Sequence, residues 1–459
     1  MRTRIVKIKE ATQGSLRIDP SFFLSEGIRV RGELQRSPYG LVSVGECSSE
    51  VFYGNIFSRV WVRDSEHGVP YLAASDTVLS DLSTENYIAT KQANQLKYLR
   101  LKKDWILVTC SGTIGNVTYT HAEFEKYIAT HDLIRIVPND HKILRGVLYA
   151  FLSGRYGYYQ LTQSRYGGVV KHISDKYVES IDVPLFPKQL QTEVNGLIDE
   201  VARLRANAAS LKESAISLLK ENIKAKDINK RLKFVNVRAQ ESIKSLTLRL
   251  DPPALMNDGV DAMKDVVSSY PCRLLKEIDV KVYRPGIFKR IYVEDGIPYI
   301  TGSEIFKTNP FHSCQTLSTS RTPFIDEMKM KAGQLLVTCA GSVGNVKLIT
   351  KEYEDKKSIG SQDIIRIESN DDVFTSEYLF TYLQLPFVFD YIQSMKYGSV
   401  IERIEPFHIE SIPVVTPSKE LSKGITDLIR QYADCMYRAF CSEEKAVSIL
   451  EKEIESWSK

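Results

Sequence analysis

The residues of this 459-residue chain that could do chemistry sit in paired short runs. Ser111-Gly112-Thr113-Ile114-Gly115-Asn116 is echoed by Ala340-Gly341-Ser342-Val343-Gly344-Asn345. Glycines at this spacing could turn backbone N–H groups toward a phosphate. More often such a pair makes a tight turn between strands, and the turn is the favoured reading. Arg165-Tyr166-Gly167-Gly168 is echoed by Lys396-Tyr397-Gly398-Ser399. Each tyrosine adjoins a cation and could stack or hydrogen-bond at a binding surface; a buried tyrosine at a helix exit is the plain alternative. Cys110 and Cys339 precede the glycine runs and read as small buried residues, not nucleophiles. The seven histidines form no metal-ligand spacing, and no glycine-rich loop follows a strand as a cofactor would require. No set of acid, base and nucleophile comes together, so the pattern points to binding and positioning.

The echoes belong to an internal repeat of about 230 residues. Ser15-Leu16-Arg17-Ile18-Asp19-Pro20 returns as Thr247-Leu248-Arg249-Leu250-Asp251-Pro252, and Pro70-Tyr71-Leu72 as Pro298-Tyr299-Ile300. Leu107–Val117 returns as Leu336–Val346, and His131-Asp132-Leu133-Ile134-Arg135-Ile136 as Gln362-Asp363-Ile364-Ile365-Arg366-Ile367. The same order and spacing throughout exclude chance. Asp251-Pro252-Pro253-Ala254 superficially matches the Asp-Pro-Pro-aromatic motif of amino-group DNA methyltransferases. Its first-half equivalent is Asp19-Pro20-Ser21-Phe22, and Ala254 lacks the ring that would stack on a flipped base, so it reads as the opening of a repeat.

Two long apolar-periodic segments position these runs. From Pro187 to about Arg231, Leu190, Val194, Leu197, Val201, Leu204, Ala208, Leu211, Ala215 and Leu218 step alternately by four and three. This is the seam of a coiled coil, and a helix of this length would span roughly 70 Å. After Pro417 the steps return at Leu421, Ile425, Leu428, Tyr432, Cys435 and Ala439, then drift to Val447, Leu450, Ile454 and Trp457. Within each repeat, short β-rich runs such as Ile106–Thr109 alternate with Gly, Asn and Pro turns, and a helix is expected near Leu144–Gln163 and Ser376–Met395. The expected architecture is a duplicated α/β (α+β) pair of globules with pseudo-two-fold symmetry, separated by two long antiparallel coiled-coil helices. The boundaries are residues 1–186, 187–231, 232–416 and 417–459.

Composition is ordinary for a soluble globular protein, with 43% apolar and 26% charged residues. No apolar run is long enough to span a bilayer and the N-terminus lacks a signal-peptide core, so a cytoplasmic, membrane-free protein is expected. Seven cysteines without CxxC pairs argue against a disulfide framework. A net charge of +4 neither requires nor excludes a nucleic-acid partner.

Two globules that each pass through Gly-Thr-Ile-Gly or Gly-Ser-Val-Gly, then Tyr-Gly, then a proline and a long helix, resemble the DNA-specificity (S) subunits of type I restriction-modification systems. The resemblance spans nearly the whole chain. The helix entries depart from the familiar proline-proline-leucine and glutamate-glutamine signature, reading Pro184-Leu185-Phe186-Pro187-Lys188-Gln189 and Pro417-Ser418-Lys419-Glu420. The resemblance implies a non-catalytic phage-defence subunit that binds double-stranded DNA, each globule being a target-recognition domain for one half of a bipartite site. It implies recruitment of methyltransferase (M) subunits, two of them, and of a restriction (R) subunit, with S-adenosylmethionine belonging to the M partner and no cofactor or metal here. A duplicated chain can set its halves about a pseudo-two-fold axis. Helix length would then fix half-site separation at about 34–36 Å per DNA turn.

The repeat sorts the candidate DNA contacts. Cations present in both halves are candidates for the phosphate backbone: Arg59/Arg290, Arg100/Lys329, Lys102/Lys331, Arg135/Arg366 and Arg165/Lys396, with Tyr166/Tyr397 beside the last pair. Surface charge or a structural ion pair is the plain alternative for each, and Arg17/Arg249 read as structural. Polar residues that differ between halves are candidates for base readout, as with Lys91, Gln92, Asn94 and Gln95 against Ser320-Arg321-Thr322-Pro323. Competing functions are a non-catalytic protein–protein scaffold with duplicated lobes, a related type II or phage-defence specificity protein, and a duplicated nucleic-acid-modifying enzyme.

Overall fold

The computed structural model describes residues 23–82, 84, 86–163, 172–225, 252–312 and 314–457. The repeat openings at residues 15–20 and 247–251, and Arg165 and Tyr166, lie outside the described residues. The chain divides into two compact units, residues 1–206 with 438–459 and residues 207–437. The division falls inside both long helices, so each unit joins one globule to part of each helix.

In the first unit an antiparallel sheet takes the order Ser48–Phe52, Leu133–Pro138, Ile106–Thr109, Val117–Tyr119. Every residue of Ile106–Thr109 is buried, as expected of a short β-branched run with both faces covered. A second sheet takes the order Trp61–Val62, Tyr87–Ala89, Gly68–Leu72, Ile128–Ala129, and its last pairing is parallel. Leu72, Leu101, Leu107, Phe124 and Leu133 pack between the strands as a core cluster. A ribbon pairs Leu41–Ser43 with Asp182–Pro184, which fixes the chain just before it enters the central helix.

The second unit repeats this plan. Its main sheet takes the order Val280–Tyr283, Ile364–Ser369, Leu335–Thr338, Val346–Leu348, and its ribbon pairs Cys272–Leu274 with Pro413–Val415. Gln315–Leu317, Tyr292–Ile300 and Ile359–Gly360 form a three-stranded sheet, because one bulged strand replaces two short ones. The helices expected at Leu144–Gln163 and Ser376–Met395 are each two helices. Arg145–Ser153 and Arg155–Gln163 break at Gly154, while Ser376–Leu383 gives way to Pro386–Ser394, with proline in its first turn.

The long helices are Lys188–Asn222, of 35 residues, and Lys419–Ser456, of 38. They run antiparallel within each unit. In the first, Glu193 meets Lys445 and Glu200 meets Arg438; in the second, Asn207 contacts Cys435, and Leu218 lies against Gly424.

The seam differs from the sequence pattern in an informative way. Val194, Ile198, Val201, Leu204, Ala208, Ala215 and Leu219 are buried, whereas Leu190, Leu197, Leu211 and Leu218 are half-buried. The helix also faces its own globule, where the Asn195 side chain accepts a hydrogen bond from Gly146 N at 2.9 Å. Serving two neighbours turns the buried line toward Ile198 and Leu219, which with Ile216 and Ile223 widen the apolar stripe of the sequence beyond a two-stranded seam. On the C-terminal helix Leu421 and Leu428 are half-buried, while Ser422, Ile425, Ile429, Tyr432, Met436, Ala439, Glu443, Ala446, Leu450 and Ile454 are buried. Those positions step by three and four up to Leu450 and by four to Ile454. The line continues past Ala439 through Glu443, a residue that sequence patterning counts as polar, and shifts only at its end: of the positions expected after the drift, Leu450 and Ile454 are buried, while Val447 and Trp457 are half-buried. Accordingly, Leu450→Ala is expected to destabilise the chain by about 3 kcal/mol and Leu428→Ala by about 1 kcal/mol, measured by denaturant unfolding.

Candidate nucleic-acid interface

The paired glycine runs are turns. Gly112, Gly115, Gly341 and Gly344 all have positive φ, at 67°, 87°, 73° and 89°. The Thr109 hydroxyl donates to Thr113 O at 2.5 Å and accepts from Asn116 N at 3.0 Å; Thr338 makes the matching bonds to Ser342 and Asn345. A Cβ on Gly115 would meet Thr162 at 2.9 Å and one on Gly344 would meet Gln393 at 2.9 Å, so the turn is pressed onto a helix. The tips at Gly112 and Gly341 open to space. Beside the second turn, Gly341 N donates to Glu402 O, and Tyr397 pairs with Arg403, so the turn and the Tyr397 loop adjoin.

Arg135 and Arg366 are removed from the phosphate contacts. Both are fully buried in the central strands of the main sheets. The Arg135 guanidinium donates to the carbonyls of Leu133, Ala129 and Thr130 at 2.8, 3.1 and 3.0 Å; Arg366 donates to Ile364 and Gly360 at 2.9 Å each. Burial pushes both groups down to about 10, so they remain cations at neutral pH. They recur because each tethers strand ends whose carbonyls would otherwise be unsatisfied.

Arg59 and Arg290 are half-buried and equivalently placed. Arg59 donates to the Tyr71 hydroxyl at 2.7 Å and lies over that ring; Arg290 lies over Tyr299 and pairs with Asp363 at 3.2 Å. They sit in matching segments, Ile56-Phe57-Ser58-Arg59-Val60-Trp61 and Ile287-Phe288-Lys289-Arg290-Ile291-Tyr292. Ile56 and Ile287 are 87% and 71% exposed, and Trp61 and Tyr292 about half exposed. These apolar residues are absent from the contacts expected above; the recurrence of Ile-Phe-x-Arg-x-aromatic in both copies is the sequence signal for them. Exposed aromatic and apolar side chains beside a cation suit base stacking and groove contact.

Next to this segment in the first unit is the short helix Thr90–Gln95. Lys91, Asn94 and Gln95 share its exposed face, at helical spacing. Gln92 does not: its amide donates to Ser58 O at 2.6 Å and accepts from Val60 N at 2.8 Å, so it positions the Arg59 segment and is corrected from base reader to support. Arg100 is half-buried, and Lys102 is exposed over the Trp105 ring. In the second unit Arg321 is exposed, while Lys329, Lys331 and Lys396 pair with Asp326, Glu368 and Glu402 at 2.7, 3.5 and 2.5 Å. Exposed pairs of this kind contribute about 0–1 kcal/mol, so exchange for a phosphate costs little. Tyr397 is exposed, donates to Glu405 at 2.6 Å and stacks on His408.

Burial pushes the Cys110 thiol up to about 12 and raises Cys339 as well, which fits small core residues and not nucleophiles. One histidine does join acidic neighbours: Asp64, Glu66 and His67 bring ligand atoms within 4.8 Å of one another on an exposed turn, where Asp64 already accepts from both following N–H groups and the His67 ring. Among the described residues no helix is long and apolar enough to cross a membrane.

Residues 50–211 and 283–436, more than half of the chain, match the model of the type I restriction modification DNA specificity domain. The chain belongs to that family and carries two copies of its domain. It is a DNA-specificity subunit with two recognition domains, in a family whose function is recognition and not bond making. Solved structures similar to it include a type I restriction-modification S subunit from M. genitalium, at 14% identity and TM-score 0.32, covering 92% of this chain and 93% of that one. An HsdS subunit from Thermoanaerobacter tengcongensis matches at 14% identity and TM-score 0.28, covering 90% and 96%. The type IIG restriction endonuclease BpuSI matches at 6% identity and TM-score 0.30, covering 38% and 28%. No curated protein matches the chain.

Replacing Arg135 by Met is expected to lower stability by about 3 kcal/mol, because several buried carbonyls lose their donor. Replacing Lys102 by Met is expected to change stability by less than about 0.5 kcal/mol. Denaturant unfolding of the two variants separates the structural cation from the surface one.

Proposed function

We propose that each unit reads one half of a bipartite duplex target across an unread spacer, and that the chain docks two methyltransferase subunits and a restriction subunit. The observation that carries this reading is the pair of matched surfaces. In each unit a shared arginine and an exposed Ile-plus-aromatic pair adjoin polar residues that differ between the units: Lys91, Asn94 and Gln95 in one, Arg321 in the other. Shared groups suit the phosphate backbone and groove, which are the same at every site; differing groups suit the base edges. Arg100, Lys102, Lys329, Lys331 and Lys396 supply charge to the backbone. S-adenosylmethionine and the catalytic groups belong to the methyltransferase partner, and the complex works in the cytoplasm against foreign DNA. Two tethered readers bind with high effective concentration only when the half-site spacing fits them.

A gel-shift titration of the chain with its methyltransferase partner is expected to select a bipartite sequence over random duplex; equal binding to both contradicts the proposal. Asn94→Ala is expected to relax preference at one half-site by about 1–3 kcal/mol and leave the other unchanged, with Arg321→Ala doing the reverse. Lys102→Ala is expected to weaken binding to all sequences alike and to reduce the salt slope by about 1. A selection of bound sequences from a randomised pool, at two salt concentrations, reads out each of these.

A further inference from the structure

A buried polar site in the first unit has no counterpart of the same chemistry in the second. Arg205 on the central helix and Glu443 on the C-terminal helix pair at 2.8 and 3.2 Å, with side chains only 9% and 5% exposed. Tyr149, fully enclosed on the helix Arg145–Ser153, donates its hydroxyl proton to the same carboxylate. Burial and the adjoining carboxylate raise the Tyr149 pKa, which keeps the phenol protonated and donating. One repeat length away, the same three places are held by Met436, Lys212 and Phe380. There Lys212 lies over the Phe380 ring at 5.8 Å and Phe380 stacks on Tyr432. Repeat symmetry therefore matches Arg205 with Met436, and Glu443 with Lys212.

From this we propose that the two halves of the chain are mutually selective: the first-half helix accepts a second-half helix and rejects a second copy of itself. In the intact chain Arg205 meets Glu443, and Met436 and Lys212 hold the equivalent places in the second unit. If two first halves paired in the same antiparallel register, Arg205 of each would face Lys212 of the other, two cations at a site that excludes water. If two second halves paired, Glu443 would face Met436, leaving a buried carboxylate with no cation beneath Phe380. Either mismatch is disfavoured because a buried charge that loses its partner keeps its desolvation penalty. The apolar seam is similar in both helices and cannot make this distinction; the charge at one seam position can. The inference is independent of what the exposed surfaces bind.

Single substitutions in the full-length chain recreate each mismatch. Glu443→Lys sets a lysine against Arg205, as two first halves would; Arg205→Met leaves Glu443 facing methionine, as two second halves would. Each is expected to lower the folding equilibrium constant of the first unit roughly a hundredfold or more, measured by denaturant unfolding. The triple variant Tyr149→Phe/Arg205→Met/Glu443→Lys installs the set native to the second unit and is expected to return within about tenfold of the original chain. Should Glu443→Lys fail to accumulate as folded protein, recovery of folded chain by the two added substitutions is the same result. Either single variant within threefold of the original, or a triple variant no more stable than the worse single, overturns the proposal.

Discussion

Each unit depends on contact between two helices that run in opposite directions and bury a line of side chains stepping by three and four residues. A helix of 35 or 38 residues is stable in water mainly through such a face, since propensity alone contributes little. The strand ribbons at Leu41–Pro184 and Cys272–Val415 then fix each globule to the helix that follows it. Asn195 against Gly146, and Thr426 against Thr375, extend that attachment over the first helical turns. A reading surface on a globule is useful only if held in a fixed place, and these contacts hold it.

Inside the globule the same economy of means recurs. Arg135 and Arg366 look on paper like DNA-binding cations, yet they gather carbonyls at the crossing of two sheets. Thr109 and Thr338 close the glycine turns with their hydroxyls, and Gln92 braces an extended segment with its amide. Polar groups at the centre of each globule serve the chain's own backbone. Facing outward among the described residues are Ile56 and Ile287 of the Ile-Phe-x-Arg segments, the Lys91–Asn94–Gln95 face, Lys102, Arg321 and the Tyr397 loop.

Much of this was legible in the sequence because duplication supplies an internal comparison. The order of elements, the glycine turns and the two long helices all followed from residue type and spacing. What stayed hidden was burial of charged residues. A periodic pattern counts Glu443 and Arg205 as solvent-facing, so the C-terminal seam is expected to drift straight after Ala439, where it runs on through Glu443 and Ala446. Arg135 and Arg366 recur in both copies for a structural reason, and recurrence cannot tell that from a shared ligand. Ile56 and Ile287 stayed hidden for the opposite reason: an apolar residue beside a phenylalanine carries no mark of exposure in the sequence, and only the fold leaves these two facing out.

Central to all of this is whether each globule sets one half of a DNA sequence. Mapping methylated bases across the source genome, with the native gene and with a version in which residues 86–100 are replaced by the corresponding segment of the second unit, tests this directly. The expected result is a bipartite methylated motif that changes in one half and keeps the other half. A motif unaffected by the exchange, or unaffected by deletion of the gene, contradicts it.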